Sequence, residues 1–158
     1  MLNKKDQKNF LVIFDKIKNE KELPTIIFES LCKIIPFVAC EIIIKDKNDS
    51  LLLTWRDDKW YKGWHFPGGL MRVGETFKQR IGIVCLKELN VEVKSIKFLQ
   101  VINNGYGDKR GYVISLIFLC TTNKKPEIGT FFKGMPIDII DGHKNLWKIA
   151  SKNLRQKN

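Results

Sequence analysis

Residues 64–91 constrain this chain most. Trp64-His-Phe-Pro-Gly-Gly69 places two flexible backbone positions just ahead of Glu75–Asn90, a stretch with helical periodicity. At roughly 100° per residue, Phe77, Ile81, Val84 and Cys85 share one face, and Glu88 falls in the middle of it. Lys87 lies about 100° round from that point, and Lys78, Gln79 and Leu86 point elsewhere. A carboxylate centred on an apolar stripe is costly unless something pairs with it. Two readings are open: a buried salt bridge, or a hard divalent cation that satisfies several carboxylate lone pairs together. The glycine pair offers carbonyls and N–H groups that can approach a metal or a phosphate, although two glycines can also do no more than reverse the chain.

The rest of the sequence supplies a framework for that helix. Phe37–Lys45 and Leu51–Arg56 are apolar, β-branched runs joined by Asp46-Lys-Asn-Asp-Ser50, which reads as an antiparallel hairpin. Residues 56–69 read as a loop, rich in Trp, Tyr and Gly and therefore suited to lining a site. Residues 91–101, 111–121 and 130–132 are strand-like, and 137–152 can close the fold as a helix. Strands at the centre with helices on both sides make an α/β sandwich. Residues 6–20 and 24–34 read as two helices of an N-terminal extension, 1–35, packed on a single domain spanning 36–158.

With 44% of its residues apolar and 28% charged, a chain of this length can bury a core without disulfides or structural metals, which excludes wholesale disorder. The cysteines at 32, 40, 85 and 120 never fall in CxxC spacing and sit in apolar segments, as reduced core residues do. The apolar stretch 113–120 is too short to span a bilayer, and 24–44 is broken by Glu29, Lys33 and Glu41. The expectation is a cytoplasmic protein with no membrane partner. Lysine and arginine outnumber aspartate and glutamate 28 to 17, a formal charge of +11, which points to an anionic partner. No recognised single-strand-binding motif accompanies the charge, so nucleic acid is not the expected partner.

The segment from Gly69 resembles the signature of the Nudix hydrolases, G-x5-E-x7-R-E-U-x-E-E-x-G-U with U aliphatic. Gly69, Glu75 and Glu88 fall in register, whereas Ile83, Val84, Lys87 and Asn90 stand where the pattern has arginine, two glutamates and glycine. The resemblance covers roughly residues 36–147. It implies a Nudix-type α/β/α sandwich with a mixed sheet and hydrolysis of a nucleoside diphosphate linked to another group. Val84 and Lys87 should forbid the full metal cluster of ordinary members. One branch, the GDP-mannose mannosyl hydrolases, has a similarly depleted signature and works with one Mg2+, which implies a sugar nucleotide as substrate. In that branch the ion is held by groups matching Glu88 and the Gly68 carbonyl; Mn2+ is an alternative ion. The same comparison aligns Glu41 with an acid facing the substrate and Arg56 with an arginine contacting the nucleotide. The branch's catalytic histidine falls near Glu127, which could substitute as base or metal ligand but also reads as a solvated loop residue.

Other residues have two readings each. His65 could stack on a base or touch a phosphate, or simply pack beside Trp64. His143, in Asp141-Gly-His-Lys, looks more like part of a helix cap than a catalytic group. Arg72 and Arg110 flank the expected pocket as diphosphate clamps, and Tyr106 could reach a sugar or base. Water would attack at the sugar carbon if the mannosyl branch is the guide, and at phosphorus if the wider family is. A homodimer is compatible with this reading. The rival function is a Nudix-fold nucleotide-binding module that has lost catalysis.

Overall fold

A computed structural model describes residues 2–18, 23–103 and 109–155. Its elements run α1 (Lys4–Ile17), α2 (Thr25–Leu31), β1 (Phe37–Ile43), β2 (Leu51–Asp57), β3 (Lys62–His65), β4 (Gly68–Leu70), α3 (Phe77–Leu89), β5 (Val93–Asn103), β6 (Val113–Thr122), β7 (Thr130–Phe132) and α4 (Asp141–Arg155). The expected first helix reached residue 20; positions 19 and 20 lie outside the described residues.

A four-stranded mixed sheet has the order β4-β1-β6-β5, with β1 parallel to β6 and the other pairs antiparallel. A three-stranded antiparallel sheet has the order β3-β2-β7. Along β1, Cys40 and Ile42 enter the core beneath α3 with Ile81, Val84, Cys85 and Leu89, while Ile43 enters a second cluster with Phe66, Leu146 and Trp147 of α4. The strand alternation thus divides one chain between two apolar layers, and the helices cover them as an α/β/α sandwich.

Two sequence expectations are corrected here. Residues 37–45 and 51–56 do not form one hairpin. The turn closes through Asp46, whose carboxylate accepts the N–H groups of Asn48 and Ser50 at 2.8 Å, and Lys45 bridges Leu51; then the strands part into different sheets. Each has a better partner: β1 pairs along its whole length with β6 and also with β4, while β2 pairs with β3 and β7. Nor is 56–69 a plain loop. It holds β3 and the start of β4, because Trp64 packs edge-on against Trp55 across the β2–β3 pair, with ring centres 5.2 Å apart.

The N-terminal helices differ from each other. Neither buries a residue, but α2 is tied to the domain: Phe28 lies 5.4 Å from Phe37, Glu29 pairs with Lys59, and Gly111 closes on the Cys32 carbonyl. All four cysteines are free and buried, as the apolar context of each implies. No helix among the described residues is long and apolar enough to cross a membrane.

Candidate active site

The site begins with α3. Thr76 accepts the Gln79 N–H while the Gln79 side chain accepts from Thr76 N, a capping box that fixes where the helix starts. It ends on Asn90, which adopts the left-handed conformation at φ 53° and ψ 41°. Asn tolerates that conformation better than most residues, so it can replace the glycine of the resembling pattern.

Arg80, Val84 and Glu88 follow one another at intervals of four and form a ridge, and β4 lies along it. A Cβ on Gly69 would come within 3.0 Å of Val84 Cγ2 and 3.5 Å of Arg80 Cδ. The methyl groups of Val84 therefore press against the Gly69 backbone, at a position where the resembling pattern has a carboxylate. Arg80 itself is 7% exposed and donates from Nε (2.8 Å) and Nη2 (2.5 Å) to Glu75 Oε2, which also accepts the Arg72 N–H at 3.0 Å. Glu75 is consumed in tying the loop to the helix. Sequence reading missed Arg80; its only signal is the spacing of four that puts it on the ridge with Val84 and Glu88.

Glu88 has different surroundings. Its half-buried carboxylate accepts the Gly68 N–H, and burial pushes its pKa up to about 7 against the pull of Arg56, Gly68 and Lys87. It enters no ion pair among the described residues. The salt-bridge reading of the sequence therefore gives way to a carboxylate on the wall of a cleft. Gly68 explains the placement. Ile42 N bonds Pro67 O and Met71 N bonds Val38 O, each at 2.8 Å, so the intervening Gly68–Glu41 pair is a non-hydrogen-bonded one. The Gly68 N–H and carbonyl both face outward from β1, towards Glu88. On its other side, a Cβ at Gly68 would fall on Glu41 Oε2, so only glycine lets the Glu41 carboxylate lie there.

The cleft has a volume of about 680 Å³ and is lined by Glu41, Arg56, His65, Gly68, Glu88 and Arg110, among others. A smaller cavity of about 160 Å³ shares Glu41, Arg56, Arg110 and His143 with it and reaches α4. Arg56 and Arg110 both approach the ring of Tyr61, 5.2 and 5.7 Å from its centre, and the Tyr61 hydroxyl accepts the Lys109 N–H at 2.6 Å. Arg56 is also held by Asp58 at 2.5 Å. This gathers cations opposite two carboxylates, a distribution suited to a ligand carrying phosphate and a metal together.

Six sequence-chosen residues thus share the cleft, and two, Glu127 and Arg72, do not. Glu127 lies on the surface, where Lys124 at 2.6 Å and then Asn90 at 3.3 Å hold its carboxyl below the usual range. A solvated lysine partner three residues away satisfies it, and it lines neither cavity. Arg72 is exposed and lines neither cavity; its backbone, bonded to Glu75, is what the site uses. Tyr106 lies outside the described residues. His65 lines the cleft but has both ring nitrogens engaged: Nδ1 meets the Phe66 carbonyl at 2.7 Å and Nε2 meets Thr54 Oγ1 at 3.1 Å. Burial, opposed by the Phe66 bond, pulls it down to about 4, so it stays neutral and structural. Lys87 and His143, neither of them chosen from the sequence as a site residue, also line the cleft.

The metal that the resemblance implies, Mg2+, needs hard oxygen donors. Among the described residues no three His, Cys, Asp or Glu side chains form a ready cage. Glu88, the Gly68 carbonyl and Glu41 offer hard oxygen ligands on one wall, and Mg2+ characteristically takes one or two carboxylates plus substrate phosphates. The residues fit one ion completed by a ligand and do not fit a preformed pair.

No protein-family model matches the chain. It is 33% identical over 85 residues to an ADP-ribose pyrophosphatase of Methanocaldococcus jannaschii, covering 53% of this chain and 50% of that protein. It is 27% identical over 88 residues to an 8-oxo-dGTP diphosphatase of Proteus vulgaris, covering 54% and 76%. The chain thus spans half the length of the first of these relatives. Among solved structures, a MutT Nudix hydrolase from Burkholderia pseudomallei superposes with a TM-score of 0.63 at 16% identity, covering 72% of this chain and 97% of that one. The fold is the Nudix fold.

Proposed function

We propose that this chain is a Nudix-type hydrolase of nucleoside diphosphates joined to a sugar, working with a single Mg2+ for which Mn2+ can substitute. The observation that carries this reading is Glu88: a carboxylate raised to about 7, bonded to the Gly68 N–H, and facing a cleft that also holds Glu41 and two arginines. Glu88, Glu41 and the Gly68 carbonyl would hold the ion, which when bound supplies charge neutralisation at the diphosphate. Arg56 and Arg110 would bind the remaining phosphate oxygens and orient the diphosphate along the cleft. Lys87 adds positive charge at the same wall.

Both curated relatives bear names of enzymes that cleave phosphoanhydrides, which supports attack of water at phosphorus, releasing a nucleoside monophosphate and a sugar phosphate. Attack at the sugar carbon, releasing a nucleoside diphosphate, is the alternative drawn from the depleted signature. No group in the cleft stands out as general base, since His65 is engaged on both nitrogens. The second reading, a nucleotide-binding module without turnover, is favoured by Val84 and Lys87 at two carboxylate positions of the pattern.

A panel of ADP-ribose, GDP-mannose, other sugar nucleotides and nucleoside triphosphates with Mg2+ or Mn2+ in ¹⁸O-water tests the proposal. The expected result is hydrolysis of the sugar-linked diphosphates, with ¹⁸O in one phosphate product. Label in the sugar would move attack to carbon. No turnover across the panel would leave only the binding module.

A further inference from the structure

α1 stands apart from the rest of the fold. It buries no residue, and five consecutive apolar side chains, Phe10 to Phe14, are each 50% or more exposed. The helix is held by its own contacts: Asn3 and Asp6 form a capping box at its start, Lys18 pairs with Asp15 at its end, and Phe10 and Phe14 stack with ring centres 5.9 Å apart. At about 100° per residue, Phe10, Ile13, Phe14 and Ile17 lie within an arc of roughly 100°; Leu11 borders it, and Val12 alone falls on the polar side. Contiguous exposed apolar surface of this kind marks an interaction site.

Charge says what the arc meets. Lys4, Lys5, Lys8, Lys16 and Lys18 outnumber Asp6 and Asp15, leaving the segment at +3 in a chain of formal charge +11. On the same wheel Lys4 and Lys18 stand on one flank of the arc, Lys5 and Lys16 on the other, and Lys8 opposite it. With the arc laid on a flat surface, both flanking rows of ammonium groups reach the same level. A second copy of the chain would bring a helix and a body of like sign, which repel, whereas an anionic bilayer complements the lysines and the apolar arc together. α2 repeats the pattern on a smaller scale: Phe28 holds it to Phe37, and Ile26, about 200° round the helix, is 74% exposed.

We propose that α1 is an interfacial helix: it lies in the plane of an anionic lipid bilayer, with Phe10, Ile13, Phe14 and Ile17 among the acyl chains and its lysines at the headgroup phosphates. Lying on a bilayer asks for one apolar face with cationic flanks, not for the length that crossing requires. The expectation of no membrane partner was drawn from that length, which no described helix reaches, and does not extend to a surface helix. Neither the metal ligands nor the diphosphate cleft enters into the proposal.

Co-sedimentation of the full chain with phosphatidylcholine vesicles, with and without phosphatidylglycerol, tests this. Binding should be about tenfold or more tighter on the phosphatidylglycerol vesicles and should weaken as salt rises. Phe10→Ala/Phe14→Ala, which strips the arc and keeps good helix formers, should lose about tenfold or more of that binding. Lys4→Gln/Lys5→Gln/Lys8→Gln should lose the preference for anionic vesicles. Because α1 buries no residue, both variants should melt within a few degrees of wild type, which separates lost binding from lost folding. Binding that the phenylalanine variant retains would assign the attraction to the charge of the rest of the chain. Equal binding to both vesicles would remove the anionic surface, and no binding to either is the outcome if the arc serves an acidic protein groove. A wild-type dimer that the phenylalanine variant splits, with no vesicle binding, would assign the arc to a second copy. Each of these four results overturns the proposal.

Discussion

The two ends of α3 carry the same residue type and treat it in opposite ways. At the N-terminal end Glu75 is met by the buried guanidinium of Arg80 and by the Arg72 N–H, and together these hold its carboxyl below the usual range against its partial desolvation. At the C-terminal end Glu88 has one backbone N–H and no ion-pair partner among the described residues, and burial drives it up to about 7. The first acid is satisfied inside the protein. The second keeps its proton up to about pH 7 and gives it up more readily when something else brings positive charge, which can enter through the cleft. Structure and site thus divide along one helix.

The contrast breaks most sharply at Glu88 itself. Glu88→Gln should lower turnover of a sugar-linked diphosphate by on the order of 10²-fold or more, the scale seen when a group stabilising transition-state charge is removed. The surface acid provides the control: Glu127→Gln should leave turnover within about twofold, because its partner is an exposed lysine. A large loss at Glu127 would return the base to the loop.

Titration sharpens the same comparison. A divalent ion must displace the proton on Glu88, so apparent Mn2+ affinity should fall roughly tenfold per pH unit below about 7. Stability should move the other way. The folded chain holds that proton more tightly than the unfolded one, so metal-free wild type should lose stability as pH rises from about 4.5 to about 7. Glu88→Gln should lack this loss and be the more stable chain at pH 8, by about 1–2 kcal/mol, as denaturant melts would read. Equal pH profiles would show that the carboxylate is well solvated.

At the other end of α3, Arg80→Met should cost about 2 kcal/mol of stability by leaving Glu75 without its guanidinium, less than for fully buried pairs because Glu75 keeps some solvent contact. Its KM should change little. The smallest effect falls to Gly68→Ala, which should displace the Glu41 carboxylate and weaken metal-dependent ligand binding several-fold while leaving the melting temperature within a few degrees. Unchanged ligand binding would remove Glu41 from the site.

Much of the site was legible because periodicity and a charged residue conflict at one position. Ile81, Val84 and Cys85 announce a buried face, and Glu88 violates it in a way that only a cleft or a partner resolves. Gly68 and Glu41 were reachable through the resemblance, although the reason for the glycine, the Glu41 carboxylate lying against it, exists only once β4 and β1 pair. The parting of β1 and β2 into different sheets was not legible, since the turn chemistry at Asp46–Ser50 is that of an ordinary hairpin and the competing partner β6 lies 76 residues away, as the register Phe37↔Val113 shows. Arg80 was missed, and His143 was read as part of a helix cap, for a related reason. Each is defined by what it bonds, Glu75 for one and the Phe66 amide for the other, and the latter contact spans 77 residues.

The central claim, that Glu88 is kept for a cation and not for the fold, is tested most directly by Mn2+ binding at pH 8, followed by water proton relaxation with and without ADP-ribose. The account expects wild type to bind one Mn2+, tightened by the ligand, and Glu88→Gln to lose that binding while melting no lower than wild type. Equal Mn2+ binding by the two chains, or a variant that loses both metal and fold, would contradict it.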